Sequence, residues 1–217
     1  MGAAGGKGLL ALGGQPMAIY SIRTLMKVRD LLSIVLVVSS EQRQRAASMV
    51  TDYGPWPVPV YLAHGGAERQ HSVAAGLTLA DSAADLVVVH DAARPFVPLR
   101  CFQACIETAA RSGAAIVAVP AHDTIKVVDA RHEIVETLDR QTIWLAQTPQ
   151  VFRADLLRRA YAQARADGYT ATDDAMLVER LGVTVRVVPG ELVNRKITTP
   201  DDLEWAESYL RGQQAVD

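Results

Sequence analysis

Short apolar runs rich in β-branched residues alternate with longer segments of helical character, and this alternation limits the possible folds more than any other feature of the sequence. Runs of this kind are typical of strands buried on both faces of a parallel sheet. The four runs lie at residues 33–39, 58–62, 85–90 and 114–120. The helix candidates beside them lie near 18–31, 41–53, 67–80 and 99–112. A β-α-β-α order predicts an α/β fold with a doubly wound, mostly parallel sheet.

The pattern changes after Pro120, where two strand-like segments follow each other without a helix between them. Residues 123–129 and 133–138 are joined by only three residues, which predicts a β-hairpin. We expect this hairpin to protrude as an arm at about 121–142 and to contact a second subunit. The later elements are helices near 153–166, 173–181 and 200–211, with a strand at 183–188. No repeat, low-complexity tract or linker divides the sequence, so we expect residues 1–217 to form a single domain with this arm.

Composition restricts the function to fewer classes. The 217 residues include 22 Lys and Arg against 24 Asp and Glu, a net charge of −2. A nucleic-acid partner needs a basic face, so this balance gives no reason to expect DNA or RNA. No apolar run reaches the ~18–20 residues that span a bilayer, and the N-terminus lacks the apolar core of a signal peptide. We therefore expect a cytoplasmic protein with no membrane partner, in which Cys101 and Cys105 are buried thiols.

A carboxylate stands where the third apolar run ends. His90 and Asp91 directly follow four apolar residues, and ligands of open α/β sheets bind outside the carboxyl ends of the strands. Asp91 could hold Mg²⁺, which takes one or two carboxylates plus substrate phosphates, and Arg94 is a planar donor suited to phosphate. An alternative is equally open at this point, in which Asp91 caps the next helix and Arg94 is its surface partner. We expect His90 to be packed or hydrogen-bonded rather than a ligand.

Two glycines precede the helix candidate near 67–80. Gly65 and Gly66 would let the backbone approach a ligand closely. The helix N-terminus, with Ser72 on its first turns, would favour a phosphate or another polar acceptor. Taken alone, a Gly-Gly pair before a helix is usually only a turn.

Two lysines and a threonine complete the candidates. Lys7 follows a Gly-Gly pair, but the segment fails the P-loop pattern because no Ser or Thr follows the lysine. Lys196 lies in an extended stretch before a helix for which Thr199 is the expected cap and Pro200 the first residue. On their own, both lysines would be solvated charges. Thr172 is the expected cap of the helix that follows it.

Taken in order along the chain, these segments resemble the 2-C-methyl-D-erythritol 4-phosphate cytidylyltransferase family of the non-mevalonate isoprenoid pathway. The most specific parts of the resemblance are the Asp-Ala-Ala-Arg-Pro box at 91–95 and the Gln-Thr-Pro-Gln box at 147–150. The other matching segments are Lys7 with 12–16, 65–69 with 72–73, 123–126, 139–140, 172–174 and 196–198. Ribitol-5-phosphate cytidylyltransferase shares most of the nucleotide-side signals and is the alternative.

The resemblance implies a Rossmann-like nucleotidyltransferase that uses CTP, a sugar-alcohol phosphate and Mg²⁺. It implies that Asp91 holds the Mg²⁺ that bridges the CTP phosphates. The residues implied to line the cytidine pocket are Gly66, Ser72 and Ala92. Those implied to surround methylerythritol phosphate are Arg94, Thr124, Arg140, Thr148, Thr172 and Lys196. The implied catalytic residues are Lys7, Arg140 and Lys196. In this family the arm reaches across a homodimer, so Arg140 and Thr124 would serve the neighbour's site.

The chain departs from the family pattern at its beginning. The family has a hydrophobic strand and a Gly-rich loop with an arginine shortly before the residue that matches Met1, and neither is found in this sequence. We expect their loss to leave unpaired strand edges. One interpretation is that the true start lies upstream of Met1, which an in-frame stop codon immediately before it would contradict. The other is that the chain is a truncated, inactive nucleotide-binding homologue.

Overall fold

The computed structural model describes the backbone of residues 7–214 and the side chains of residues 8–213. The strands in this range are β1 Ala11–Leu12, β2 Gln15–Pro16, β3 Ile34–Val38, β4 Val60–His64, β5 Leu86–Val89, β6 Ala114–Pro120, β7 Lys126–Val128, β8 Ile134–Thr137, β9 Trp144–Arg153 and β10 Arg186–Pro189. The α-helices are α1 Met17–Leu25, α2 Arg43–Asp52, α3 Arg69–Leu79, α4 Leu99–Ser112, α5 Ala154–Ala166, α6 Asp174–Glu179 and α7 Pro200–Gln214. Short 3-10 turns lie at Lys7–Leu9, Ser40–Gln42 and Arg140–Thr142. Every helix and strand that the sequence predicts is present; α4 and β6 have the predicted limits, and the ends of the others are shifted.

The central sheet is mixed rather than parallel throughout. Its strand order is β10-β6-β9-β5, in which β10 runs parallel to β6 and β9 runs antiparallel to both β6 and β5. A second sheet holds β3 and β4 in parallel. The predicted parallel order is therefore correct for two strand pairs, and β9 is a strand that the sequence reading missed. The polar residues Gln147, Thr148 and Gln150 interrupt its apolar pattern, although all three are buried.

The β5 strand lies at one edge of the central sheet. Within residues 7–214, β5 pairs only with β9, β10 pairs only with β6, and β3 and β4 pair only with each other. Because β5 ends at Val89, its open edge runs up to the segment that holds Asp91.

Helices cover both faces of the central sheet. Val117 and Val151 pack with Phe102 of α4 on one face. Their neighbours Ile116 and Phe152 pack with α5 and α6 on the other face, because successive residues of a strand point to opposite sides. This arrangement is the doubly wound architecture that the alternating sequence predicts. It fixes the carboxyl end of β5 between the two helical layers.

Cys101 and Cys105 are free, buried residues of α4, as the sequence predicts. Burial raises the pKa of the Cys101 thiol to about 11 and that of the Cys105 thiol to about 12. Neither is therefore a reactive thiolate near neutral pH.

The helix ends near the site follow local chemistry, with one correction. Thr199 accepts a hydrogen bond from the backbone N–H of Asp202 at 3.2 Å, so it caps α7 as predicted. The predicted cap of α6, Thr172, is wrong, because the helix begins at Asp174 and the cap position falls on Asp173. The Asp173 carboxylate accepts from the N–H of Met176 at 3.0 Å. Across residues 7–214, no helix is both long and apolar enough to cross a bilayer.

The predicted hairpin is confirmed as the antiparallel pair β7–β8. Every residue of both strands is exposed. The exposed fractions are 47% for Val128, 63% for Ile134 and 61% for Val135. The arm therefore carries apolar surface that the described part of its own chain does not cover.

Candidate functional site

Asp91 lies two residues beyond the end of β5 and opens a tight turn. The backbone N–H of Arg94 donates to the Asp91 carbonyl at 2.9 Å, and the backbone N–H of Asp91 donates to Thr148 Oγ1 at 3.0 Å. The next helix, α4, begins at Leu99 after Pro98, so Asp91 is not its cap. The helix-cap alternative is therefore wrong. The carboxylate is free to bind charged groups beyond the strand ends.

Three cations surround the Asp91 carboxylate. Lys196 Nζ lies 2.7 Å from Oδ2, Arg69 Nε lies 3.3 Å from Oδ1, and Arg94 Nε lies 4.0 Å from Oδ2. Burial acts to raise the pKa of the Asp91 carboxyl, but Arg69 and Lys196 outweigh it and lower the pKa to about 2. Asp91 is therefore charged at neutral pH, inside a cluster that carries an excess of positive charge. Such a cluster attracts anions.

Lys196 is presented to Asp91 by a fixed extended segment. The backbone N–H of Ile197 donates to the Ala93 carbonyl at 2.8 Å, which pins this segment to the Asp91 turn. On the other side, Asn194 is fully buried, and its side-chain amide donates to the Thr148 carbonyl at 2.8 Å. The Lys196 side chain itself is 41% exposed. It therefore combines a rigid backbone with an accessible ammonium group.

Arg94 is held more tightly than a surface partner would be. Its side chain is 11% exposed, and Nη1 donates to the Asn194 carbonyl at 2.7 Å. Nη2 lies 3.5 Å from the Ala146 carbonyl. The guanidinium therefore joins the Asp91 turn to β9 and to the segment before α7.

Thr148 and His90 form the inner wall behind Asp91. Thr148 Oγ1 lies 3.0 Å from His90 Nδ1, and His90 Nε2 lies 3.3 Å from the Arg94 carbonyl. Burial lowers the pKa of His90 to about 4, so the imidazole is neutral near pH 7. A proton on Nε2 satisfies both contacts, with the threonine hydroxyl donating to Nδ1. His90 is thus packed and hydrogen-bonded, as the sequence predicts.

The Gly65–Glu68 turn contributes backbone polar groups beside the start of α3. The N–H of Gly66 donates to Ser72 Oγ at 3.2 Å, and that hydroxyl donates to the Glu68 carbonyl at 3.1 Å. A Cβ on Gly66 would lie 2.4 Å from the Cβ of His71, so the turn requires glycine there. Gly66 and Ser72, both predicted to line the cytidine pocket, therefore stabilise one another.

Ala92 lies against the beginning of the described chain. A Cβ on Gly8 would lie 2.9 Å from the Cβ of Ala92. The 3-10 turn that contains Lys7 therefore packs on the Asp91 turn. The side chain of Lys7 lies outside the described residues.

The arm residues are not brought into this cluster. Arg140 Nη1 donates to the His122 carbonyl at 2.6 Å, and both Arg140 and Thr124 are exposed. Among the hydrogen bonds and ion pairs of residues 8–213, none joins either residue to Asp91. Thr172 is also exposed and lies two residues before Asp174.

Arg69 and Asp174 are the residues that sequence reasoning missed. Arg69 Nη2 lies 2.7 Å from Asp174 Oδ2, and the Asp174 side chain is 1% exposed. The sequence did contain a signal, since Arg69 ends the Gly-Gly-Ala-Glu-Arg segment and Asp174 ends the Thr-Asp-Asp segment. Nothing local pairs them, because they are 105 residues apart.

The chain as a whole is similar to one family of known proteins. The family model described as "IspD: 2-C-methyl-D-erythritol 4-phosphate cytidylyltransferase" matches residues 1–212. A protein of that enzyme name from Acidobacterium capsulatum is 45% identical over 209 residues, which cover 94% of this chain and 87% of the relative. A protein of the same enzyme name from Dictyoglomus thermophilum is 42% identical over 212 residues, which cover 96% of this chain and 90% of the relative.

Solved structures give the same result. A crystal structure of 4-diphosphocytidyl-2C-methyl-D-erythritol synthase from Anaerococcus prevotii matches with a TM-score of 0.88 and 30% identity, covering 96% of this chain and 95% of that one. A crystal structure of 2-C-methyl-D-erythritol 4-phosphate cytidylyltransferase from Thermus thermophilus matches with a TM-score of 0.80 and 36% identity, covering 94% and 93%.

Proposed function

The chain belongs to the 2-C-methyl-D-erythritol 4-phosphate cytidylyltransferase family, and on that premise we propose that it transfers CMP from CTP to 2-C-methyl-D-erythritol 4-phosphate with release of pyrophosphate. The reaction belongs to isoprenoid precursor biosynthesis. The observation that carries the proposal is the Asp91 cluster, in which one carboxylate meets Arg69 and Lys196 beyond the end of β5. Such a site suits two anionic substrates that must be brought together.

The chemistry asks the protein for positioning and charge neutralisation. An oxygen of the substrate phosphate attacks the α-phosphorus of CTP, and pyrophosphate leaves. Because that oxygen is already anionic, the reaction needs no general base. The neutral His90 is therefore not required to accept a proton from the substrate. The repulsion between the two anions must be offset by cationic side chains. Lys196 is the accessible cation of the cluster, and it neutralises the methylerythritol phosphate as that phosphate approaches.

A magnesium ion fits this donor set if the nucleotide phosphates supply further oxygen ligands. Among residues 8–213, no group of three or more Asp, Glu, His or Cys side chains could hold a metal. Asp91 is the one carboxylate at the exposed face of the cluster, and Mg²⁺ is usually held by one or two carboxylates with phosphate and water oxygens. We therefore assign Asp91 as the protein ligand. When bound, Mg²⁺ supplies positive charge to the triphosphate.

The remaining assignments divide between the two substrates. Gly66, Ser72 and Ala92 border the face of the cluster that we assign to the cytidine. The side that we assign to methylerythritol phosphate carries Arg94, Thr148, Thr172 and Lys196. Thr148 and Arg94 are the more buried members of this set, so they shape the wall of the site. Lys7 is a further catalytic residue in the proposal, as the family resemblance implies.

A homodimer completes the proposal. The arm exposes Val128, Ile134 and Val135, and exposed apolar surface of this kind favours contact with another chain. Arg140 and Thr124 lie in the arm, outside its two strands and outside the Asp91 cluster of their own chain. In the proposed dimer they reach the methylerythritol phosphate of the neighbouring site. We also place the enzyme in the cytoplasm, without a membrane or nucleic-acid partner.

The activity is tested by following pyrophosphate release from CTP and Mg²⁺ with methylerythritol phosphate, with ribitol 5-phosphate, or with neither. Release that requires methylerythritol phosphate and stops in EDTA supports the proposal. Release with ribitol 5-phosphate alone would assign the alternative substrate. No release with either substrate would contradict the proposed activity.

A further inference from the structure

The cations on the two oxygens of Asp91 are held in different ways. Lys196, on Oδ2, is 41% exposed and pairs with no other carboxylate in the part of the chain that the structure describes. Arg69, on Oδ1, is 26% exposed and also contacts Asp174 at 2.7 Å. Lys196 can therefore leave Asp91 for an incoming anion, whereas Arg69 is tied at both ends of its guanidinium.

Asp174 is a buried anchor for Arg69. One of its oxygens accepts from Arg69 Nη2 and the other accepts from the hydroxyl of Tyr161. Its backbone N–H donates to Gln150 Oε1 at 3.2 Å, which ties it to β9. With a side chain only 1% exposed, Asp174 cannot contact a substrate. If Arg69 moved away, Asp174 would be a buried charge without its cationic partner.

Arg69 joins three parts of the site. It is the first residue of α3, next to the Gly65–Glu68 turn, and it binds the carboxylates of the β5 end and of the α6 start. Its planar fork holds both carboxylates in one geometry, which a single ammonium group cannot reproduce. Arg69 lowers the pKa of the Asp91 carboxyl, and because Asp174 holds the other end of its guanidinium, it also fixes the orientation of that carboxylate.

We propose that Arg69 is a positioning residue: anchored by Asp174, it fixes the Asp91 carboxylate so that Oδ2 faces the metal–nucleotide complex once Lys196 turns to the second substrate. Arg69 itself contacts neither substrate. The proposal rests on the assignment of Asp91 as the magnesium ligand. It predicts that Arg69 controls how much Mg²⁺ strengthens nucleotide binding, without affecting nucleotide binding in the absence of metal.

The test measures CTP affinity by calorimetry in Mg²⁺ and in EDTA, and the ratio of the two affinities is the magnesium gain. Arg69→Met should reduce this gain at least about tenfold, because small displacements of positioned groups have effects of this size. The double variant Arg69→Met with Asp174→Asn removes both charges together and should lose the gain equally. Arg69→Lys keeps a positive charge beside Asp174 and should therefore keep the fold, but it should also lose most of the gain.

Tyr161→Phe is the matched control. It removes the other hydrogen bond of Asp174 but leaves the Arg69 contacts in place. We expect a lower melting temperature and an unchanged magnesium gain. An unchanged gain in the Arg69 variants, an equal loss in Tyr161→Phe, or an equal loss of CTP affinity in EDTA would each overturn the inference. The inference would also be overturned if the unaltered protein showed no magnesium gain. If the unaltered protein showed the gain but no turnover, that result would count against the proposed function alone.

Discussion

The Asp91 cluster and the β7–β8 arm both carry predicted substrate residues, yet their physical settings are opposite. In the cluster, the 17%-exposed side chain of Asp91 is linked to Arg69 and Lys196, which come from distant parts of the chain. In the arm, every strand residue is exposed, and within residues 8–213 the Arg140 guanidinium has one hydrogen bond, to the nearby carbonyl of His122.

The difference teaches where each region acquires its function. The cluster is ordered within one chain, because its charges are paired and its backbone is pinned by β9 and α7. The arm has apolar surface and a cationic residue without such partners in the described chain. In the proposed dimer, the neighbouring subunit supplies those partners. Five predictions test this contrast.

The largest effect is expected for the cluster. Asp91→Ala removes the proposed metal ligand and leaves Arg69 and Lys196 without their shared carboxylate. We expect turnover to fall at least about 10²–10³-fold, as when one electrostatic contact to a transition state is removed. Steady-state kinetics measures this. Activity within threefold of the unaltered enzyme would remove Asp91 from the mechanism.

Lys196→Ala should produce a loss in turnover of similar size, on the order of 10²-fold. The matched control is Lys27→Ala, which removes an exposed lysine at the end of α1, outside the cluster. The control should retain its full rate, and circular dichroism should show the same fold for both variants. Equal losses in the two variants would indicate a general charge effect.

Arg140→Ala should reduce turnover by about 10-fold to 10²-fold, because in the proposed dimer the arm supplies charge to the neighbour's site. Mixing Arg140→Ala with Lys196→Ala sharpens the contrast. In a mixed dimer, one site would receive an intact cluster and an intact arm, so activity should return after subunit exchange. Mixtures no more active than the separate variants would place Arg140 outside a shared site.

The free energy of unfolding below about pH 4 should also depend on the ion pairs of the cluster. Burial acts to raise the pKa of Asp91, but the opposite effect of Arg69 and Lys196 is larger and brings the pKa down to about 2. A carboxyl whose folded pKa lies below its ordinary value near 4 stabilises the fold above that value and loses this contribution as pH falls from about 4 to about 2. The expected contribution is about 2 kcal/mol. In Asp91→Asn, the free energy of unfolding should fall less steeply over this window, and an identical slope would contradict the ion pairing.

The smallest effect on the chain itself is expected for the arm. Ile134→Ser changes an exposed position, so the stability of the separated monomer should change by less than about 0.5 kcal/mol. The dimer should nevertheless be weaker, so sedimentation should show monomers at protein concentrations where the unaltered protein is still a dimer. Glu136→Gln on the same strand removes no apolar surface and serves as the control. Equal dimer stability in both variants would separate the arm from the interface.

Local patterns in the sequence account for much of the fold. Helix α4 has the predicted limits, because its apolar periodicity ends at Gly113, where the backbone adopts a φ of +88° that favours glycine. The hairpin and the cap of α7 by Thr199 follow from equally local rules. Strand β9 was missed because its buried Gln147 and Gln150 disguise a core strand as a polar segment.

The sequence by itself determined the alternation of elements, the family resemblance and the position of Asp91 after a buried strand, because periodicity and turn chemistry act between near neighbours. Tertiary structure alone decided which charges meet. Arg69 and Asp174 are 105 residues apart, and Arg94 and the Asn194 carbonyl are 100 residues apart. These groups come together through the packing of α3, β9 and α6, which bury Asp174 and thereby demand a cation beside it. The same packing turns a strand-end aspartate into the centre of a site.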